Sequence, residues 1–318
     1  MYRGIRIIGA RSQDTEEKNG TGKEEDALMG KIIIVAESGS DVTADLRERY
    51  GIRIVPMHVI FGRESREDGT FSPSEVIEYY RRTGKIPSTS GAMEYDFNRV
   101  FEEILSSEPE ASVLHIAYSA VTTCSFECAR RAAEEFPGMP FAQVDTGMFS
   151  FGHCSVVTKT AQMLMEHPEW TLEDARTAAQ DLVDHSCMAF VPDGFEFLKA
   201  GGRVRNTAAL VGELLKIHPR IDMIGGYLVP VRKYRGRMER VIPAMIRDFV
   251  KEYETERPEI WLGHTPEFSL QRRTAAEDTL RELGFLQIHW IECGSVITTH
   301  GGTGCFGLSG FGKKRAKE

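Results

Sequence analysis

Residues 31–46 read KIIIVAESGSDVTADL. Ile32 to Ala36 form an unbroken apolar run, the pattern of a strand buried on both faces. The polar turn Ser38-Gly39-Ser40 follows, and Asp41 or Thr43 can cap a short helix running to Tyr50. The turn lacks the Lys-Ser/Thr of a P-loop and the flanking glycines of a nucleophile elbow. It reads as a strand-to-helix connection with Asp41 as the cap.

Outward from this unit the alternation repeats. A strand is expected over Arg53–Gly62. Ser72-Pro73-Ser74-Glu75 is a capping box opening a helix to about Thr83. A helix of about Tyr95–Ser106 follows, then strand Ser112–Ser119, helix Thr122–Glu135, strand Phe141–Thr146 and a helix to Glu166. Thr171-Leu172-Glu173-Asp174 opens another helix, to His185. This pattern predicts an N-terminal α/β domain over residues 29–185, three layers with a parallel sheet, whose ligands bind at the carboxyl ends of strands. Residues 186–312 differ. A strand Met188–Asp193 and a short helical turn precede Gly201-Gly202-Arg203, and a helix is expected over 207–216. Arg220–Arg232 is a hairpin turning at Gly225-Gly226. A helix Met238–Tyr253, strand Glu259–His264, a helix to Leu283 and strands Gln287–Glu292 and Ser295–His300 complete a C-terminal α/β domain. It is expected to have a mixed sheet with helices on one side.

The chain of 318 residues is 41% hydrophobic and 27% charged, with a net charge of −8. That balance argues against general affinity for nucleic acid or anionic membrane. No apolar stretch approaches the roughly 18 to 20 residues that span a bilayer. Residues 1–28 lack signal-peptide order and are largely polar, while Met29 directly precedes the first strand. They read as a disordered extension or a misplaced start, and residues 313–318 as a basic tail. The six scattered cysteines read as reduced thiols of a cytosolic protein, and no metal site is expected.

Gly302-Thr303-Gly304-Cys305-Phe306-Gly307 matches G-x-G-x-x-G formally. Only eleven residues follow it, too few for the helix and acidic residue a dinucleotide site needs. His58, His115 and His289 fall in strand patterns and read as core or edge residues. Arg203, Arg205, Arg220, Arg232, Lys233, Arg235, Arg237 and Arg240 concentrate positive charge, either as a solvated face or as a docking surface for an acidic group. In Pro87-Ser88-Thr89-Ser90-Gly91, Ser90 is positioned to cap the following helix. Thr89, Ser90 and Ser119 all lie at strand-end positions where short hydroxyl donors can bind a carboxylate. A serine enzyme using Ser119 or Ser90 with His300 as base is the rival reading, but no motif for activating the nucleophile is visible.

Taken in order, KIIIVAESGSDVTADL, Ile52–Gly62, Pro87–Ser90, Leu114–Ser119, Val144–Thr146, Gly201–Val204, Val229–Arg237 and Ile297–Gly307 resemble the DegV family. The resemblance spans about residues 30–312. It implies two α/β domains with a long-chain fatty acid in a tunnel between them. It further implies a carrier without chemistry or cofactor of its own, which presents the carboxylate to a fatty acid kinase of dihydroxyacetone-kinase type. On this resemblance Thr89, with Ser90, binds the carboxylate together with Ser119 and His300, and Arg203 engages the kinase. The family's Thr-Ser-Gln-Pro-Ser continues here as Thr89-Ser90-Gly91-Ala92-Met93. Its Ser-Ser-x-Leu-Ser-Gly-Thr is replaced by residues 118–124, YSAVTTC. Burying a chain of about 16 carbons at about 0.8 kcal/mol per methylene gives roughly 12 kcal/mol before ordering costs, provided the carboxylate finds donors.

Overall fold

A computed structural model describes residues 30–203 and 217–313. The extension 1–28, Arg205, the helix expected over 207–216 and the tail beyond residue 313 lie outside the described residues. The first half runs β1 (Ile32–Glu37), α1 (Ala44–Tyr50), β2 (Arg53–Val55), β3 (His58–Phe61), β4 (Glu64–Glu67), α2 (Ser74–Thr83), β5 (Ser88–Ser90) and α3 (Glu94–Ser107). It continues through β6 (Ser112–Ala117), α4 (Ser125–Glu134), β7 (Phe141–Asp145), α5 (Ser150–Glu166) and α6 (Leu172–His185). The second half has β8 (Ser186–Val191), α7 (Glu196–Gly201), β9 (Ile217–Ile224), β10 (Tyr227–Arg235) and α8 (Met238–Glu252). Then come β11 (Glu259–His264), α9 (Leu270–Glu282), β12 (Gln287–Glu292), α10 (Ser295–Gly301) and β13 (Phe306–Phe311).

The expected α/β architecture is present: a parallel sheet in the order β2-β1-β6-β7, and a mixed sheet in the order β10-β9-β8-β13-β11-β12. The hairpin β9–β10 turns where expected, with Gly225 and Gly226 both at positive φ, as a tight two-residue connection requires. Thr171 and Asp174 form the reciprocal capping box at the start of α6.

Five local expectations are corrected. The run Arg53–Gly62 is two strands, because Pro56 cannot donate to a ladder and Met57 N–H turns to Ser38 Oγ, 3.0 Å away. Its second part, β3, leaves the parallel sheet and pairs antiparallel with β4 and β5. Asp41 does not cap α1; Thr43 does, its Oγ1 accepting from Leu46 N–H at 3.4 Å. Ser90 does not cap α3, because it belongs to β5 and its hydroxyl donates to Gly91 O at 3.1 Å. Ser295–His300 is helix, not strand, despite its β-branched residues, because carboxylates from the first half accept its leading N–H groups. Tertiary capping here overrides a weak intrinsic preference. The last correction is that helices cover both faces of the mixed sheet.

Alternation along β8 shows those two faces. Cys187, Ala189 and Val191 join the core under α8 and α9, whereas Met188 and Phe190 join the larger core that includes α5. Helix α5 is buried from Ser150 through Thr158 and again at Thr160 and Ala161, the all-round burial of a central helix. Phe151, Ser155 and Lys159 form an i, i+4, i+8 stripe toward the mixed sheet. Ser155 Oγ lies 3.5 Å from Ser309 Oγ, and Lys159 Nζ is 2.7 Å from Glu259. On its parallel-sheet side, His153 Nε2–H donates to Ile116 O at 2.7 Å. The glycine-rich β13, a strand beyond those expected, fits between β8 and β11 beneath this helix.

Candidate functional site

Three segments meet between the sheets. The edge strand β5 brings Thr89, the last turn of α10 brings His300, and α7 ends at Gly201 beside them. Thr89 Oγ1 and His300 Nε2 are 2.8 Å apart. A side chain at Gly201 would overlap the imidazole, so glycine there permits the close approach of α7. Gly202, at φ 62°, ends that helix. Arg203 follows; its Nη1–H donates to Gly201 O at 2.9 Å, and among the described residues no carboxylate pairs with it.

These residues border a narrow cavity. Only about 70 Å³ of it is wide enough for the centre of a water molecule. Thr89, Thr122, Thr123, Thr265, Arg203 and His300 are among its polar residues; Met57, Tyr118, Phe149, Phe151, Phe190, Leu198, Leu228, Val296 and Ile297 make most of the wall. An apolar slot with few converging polar groups is the usual form of a small-molecule site. Burial, helped by the nearby positive charge of Arg203, pushes His300 down to about 4. The imidazole is therefore neutral at neutral pH, and its Nδ1 has no partner among the described residues.

The other expected site residues are placed differently. Ser119 is buried, and its hydroxyl donates to Gly226 O at 2.8 Å, tying the loop after β6 to the β9–β10 turn. Neither Ser119 nor Ser90 lines the cavity, and neither is brought to His300, whose partner is Thr89. Two further residues, Asp68, which no motif singled out, and Asp41, read only as a cap of α1, turn out to hold α10. Asp41 Oδ1 accepts from Gly294 N–H at 2.8 Å and Asp41 also accepts from Ser150 Oγ–H. Asp68 Oδ1 accepts from Ser295 N–H at 2.9 Å and Val296 N–H at 3.4 Å, and its Oδ2 from Ser38 Oγ–H at 2.8 Å. Burial raises both carboxyls, Asp41 well above the ordinary value. Together they fix the first turn of the helix whose last turn carries His300.

The remaining polar clusters are structural. His115 stands 3.3 Å from Glu37 in the first core, His58 3.1 Å from Asp96 and His289 2.8 Å from Glu259. Arg220 is buried on Asp222 and Glu252, and Arg232 pairs with Asp248 and Glu252. Arg232 is thus an ordinary ion pair on a solvated face, whereas Arg220 is buried and belongs neither to a solvated face nor to a docking surface. Among the described residues no group of three or more His, Cys, Asp or Glu is placed to hold a metal ion.

The depressed His300 value makes a pH prediction. Between about 4 and the ordinary 6.5, the unfolded chain binds a proton there that the folded chain does not. Stability from this residue is thus complete above 6.5 and is lost as pH falls toward 4, by up to about 3 kcal/mol. Urea unfolding at pH 7 and pH 4.5 is expected to show a smaller loss on acidification in His300→Gln than in the unaltered protein. Equal losses would count against the buried, neutral imidazole.

Comparison with known proteins agrees with this architecture. The family described as "Uncharacterised protein, DegV family" matches residues 31–313. A DegV domain-containing protein of Caldanaerobacter subterraneus subsp. tengcongensis is 28% identical over 284 residues, covering 88% of this chain and 98% of that protein. A Thermotoga maritima protein named "Fatty acid-binding protein" is 26% identical over 303 residues, covering 90% of this chain and 100% of that one. The solved structure of a DegV family protein from Thermus thermophilus, described as showing fatty acid binding, is 27% identical. It superposes with a TM-score of 0.79 over 89% of this chain and 100% of that one. The match runs through both sheets and through the segments that carry Thr89, Arg203 and His300, and the chain belongs to the DegV family.

Proposed function

We propose that the cavity holds a long-chain fatty acid with its carboxylate at Thr89 and His300. The observation that carries this reading is the pairing of Thr89 with a neutral His300 at the edge of an apolar slot, beside an Arg203 that no carboxylate pairs with among the described residues. A carboxylate needs donors and a compensating charge, because a buried unpaired anion is very costly. With His300 Nε2–H donating to Thr89 Oγ1, the threonine O–H is free to donate to the carboxylate and the Arg203 guanidinium supplies the charge, while the apolar wall takes the chain. The fatty-acid binding described for the Thermus and Thermotoga relatives supports the same ligand class.

On this reading the protein is a cytoplasmic carrier that makes and breaks no bonds. It presents the carboxylate to a partner fatty acid kinase, with Arg203 at the exposed edge of the cavity facing both ligand and kinase. Ser90 and Ser119 then support the head-group loops through their contacts with Gly91 O and Gly226 O. Freshly purified protein, once denatured, is expected to release about one equivalent of fatty acid detectable by mass spectrometry. Protein that is empty and also fails to take up palmitate or oleate would overturn the reading. With a fatty acid kinase present, Arg203→Ala is expected to slow acyl phosphate formation; an unchanged rate would remove the kinase role while leaving the binding intact.

A further inference from the structure

Tyr118 puts a polar tip on the apolar slot. It follows β6 directly, and its N–H donates to Glu37 Oε2 at 3.0 Å, which fixes the backbone there. One edge of the ring lies against Gly39, where an added Cβ would come within 2.9 Å of it, and the ring stacks on Phe149 with centroids 6.1 Å apart. The residue is 9% exposed and borders the cavity. Its hydroxyl has no hydrogen-bond partner among the described residues. The other hydroxyls on the wall each have one: Thr89 with His300, Thr122 with Ser119 O, Thr123 with Ser125 and Thr265 with the Cys305 N–H. Burial raises the Tyr118 phenol above its ordinary value, so it remains a neutral O–H, able to donate.

The place of the ring separates this hydroxyl from the carboxylate donors. Gly39 belongs to the turn Ser38–Ser40, whose Ser38 bonds Asp68, the residue that accepts from the first N–H groups of α10. Thr89 and His300 meet at the last turn of the same helix, about 8 Å along its axis. A chain that starts at Thr89 and fills so narrow a slot meets the phenol along its length. A plain hydrocarbon chain there strips water from the O–H and offers no acceptor, which costs affinity. An oxygen on the chain restores the bond. We propose that Tyr118 selects fatty acids oxygenated within the chain, its O–H donating to a hydroxyl or keto oxygen several carbons from the carboxylate. The proposal rests on the fatty-acid reading above and adds the class of acyl chain.

The test compares stearate with hydroxystearates that carry the hydroxyl at successive carbons from the second to the twelfth. Each is titrated into delipidated protein, unaltered and Tyr118→Phe. Phenylalanine keeps the ring and removes only an oxygen without a protein partner, so the variant is expected to fold with an unfolding midpoint close to normal. Affinity for one or two hydroxylated members, relative to stearate, is expected to fall about three- to tenfold in Tyr118→Phe, the share of one hydrogen bond. Stearate itself is expected to bind the variant more tightly, because the unpaired phenol is gone. Failure of the unaltered protein to bind stearate and every hydroxystearate would sink the fatty-acid reading itself. The same relative affinities in both proteins at every position would overturn the role of Tyr118 and leave that reading standing. A loss shared equally by stearate and all hydroxystearates would also overturn it, since the phenol would then serve the carboxylate. Should Tyr118→Phe fail to fold, the unaltered protein decides: a hydroxyl that costs the same affinity at every position has no partner in the slot, and the proposal falls.

Discussion

Asp68→Ala is expected to destabilise the protein by about 3 to 5 kcal/mol, the sum of stranding several buried donors at about 1–3 kcal/mol each. The carboxylate, in a residue only 7% exposed, accepts from Ser38 Oγ–H, Ser295 N–H and Val296 N–H. Alanine offers no acceptor, and the buried site leaves little room for water to replace one. An opposing effect exists, since the nearby Asp68 charge helps to raise Asp41, and its removal relieves that repulsion. Relief of one charge contact contributes less than stranding three donors, so destabilisation wins. Helix α10 has seven residues, too few to persist without tertiary anchors, so fatty-acid affinity should fall along with stability as His300 loses its position. Urea unfolding and ligand titration of Asp68→Ala beside Asp68→Asn check this. The amide keeps an acceptor oxygen, and it should retain much of what alanine loses. If alanine and asparagine behaved alike, the carboxylate would not be the anchor of this helix.

Thr89→Val is expected to weaken fatty-acid binding by about 10- to 100-fold, because a hydrogen bond to a charged group contributes about 1.5–3 kcal/mol. Valine keeps the shape and the β-branch that suits β5, so the strand should persist. What disappears is one head-group donor and the 2.8 Å partner of His300 Nε2. A purely structural threonine would give the opposite pattern: lower stability with unchanged affinity for the ligand that remains. Calorimetric titration with palmitate, alongside thermal unfolding, separates the two. Retention of full affinity would return Thr89 to the role of an ordinary strand residue.

The sequence was most informative where local pattern and tertiary environment agree. Residues 32–36 are apolar without interruption because β1 lies inside the parallel sheet, and Gly225-Gly226 turns a hairpin because both need positive φ. It misled where contacts distant in sequence decide. Val296 to Thr299 carry strand-forming side chains, yet N–H groups at 294–296 meet Asp41 and Asp68, more than 220 residues earlier, and the segment coils. Glycines 307 and 310 look like loop residues, but β13 needs them bare beneath Phe151 and beside Thr255. Within the site, Thr89, Arg203 and His300 were identifiable from an ordered family resemblance, and the structure places all three on one cavity. Ser119 shares that resemblance, yet its hydroxyl is occupied by a carbonyl of the hairpin turn. No local signal distinguishes a hydroxyl that faces a ligand from one that faces a backbone.

Helix α5 serves both sheets, with Phe151, Ser155 and Lys159 on one and His153 on the other. The two halves therefore resemble two walls sharing one beam more than two shells on a hinge. Prising them apart would strip α5 from Gly263, Gly307 and Ser309 and bare aromatic surface at Phe190 and Trp261. On the fatty-acid reading, the ligand then enters and leaves at the rim, where β5, the loop after β6 and the end of α7 border the cavity, while the beam stays in place. On the fatty-acid reading, substitutions in those short segments are expected to change the rate of exchange more than substitutions in α5 that leave the fold intact.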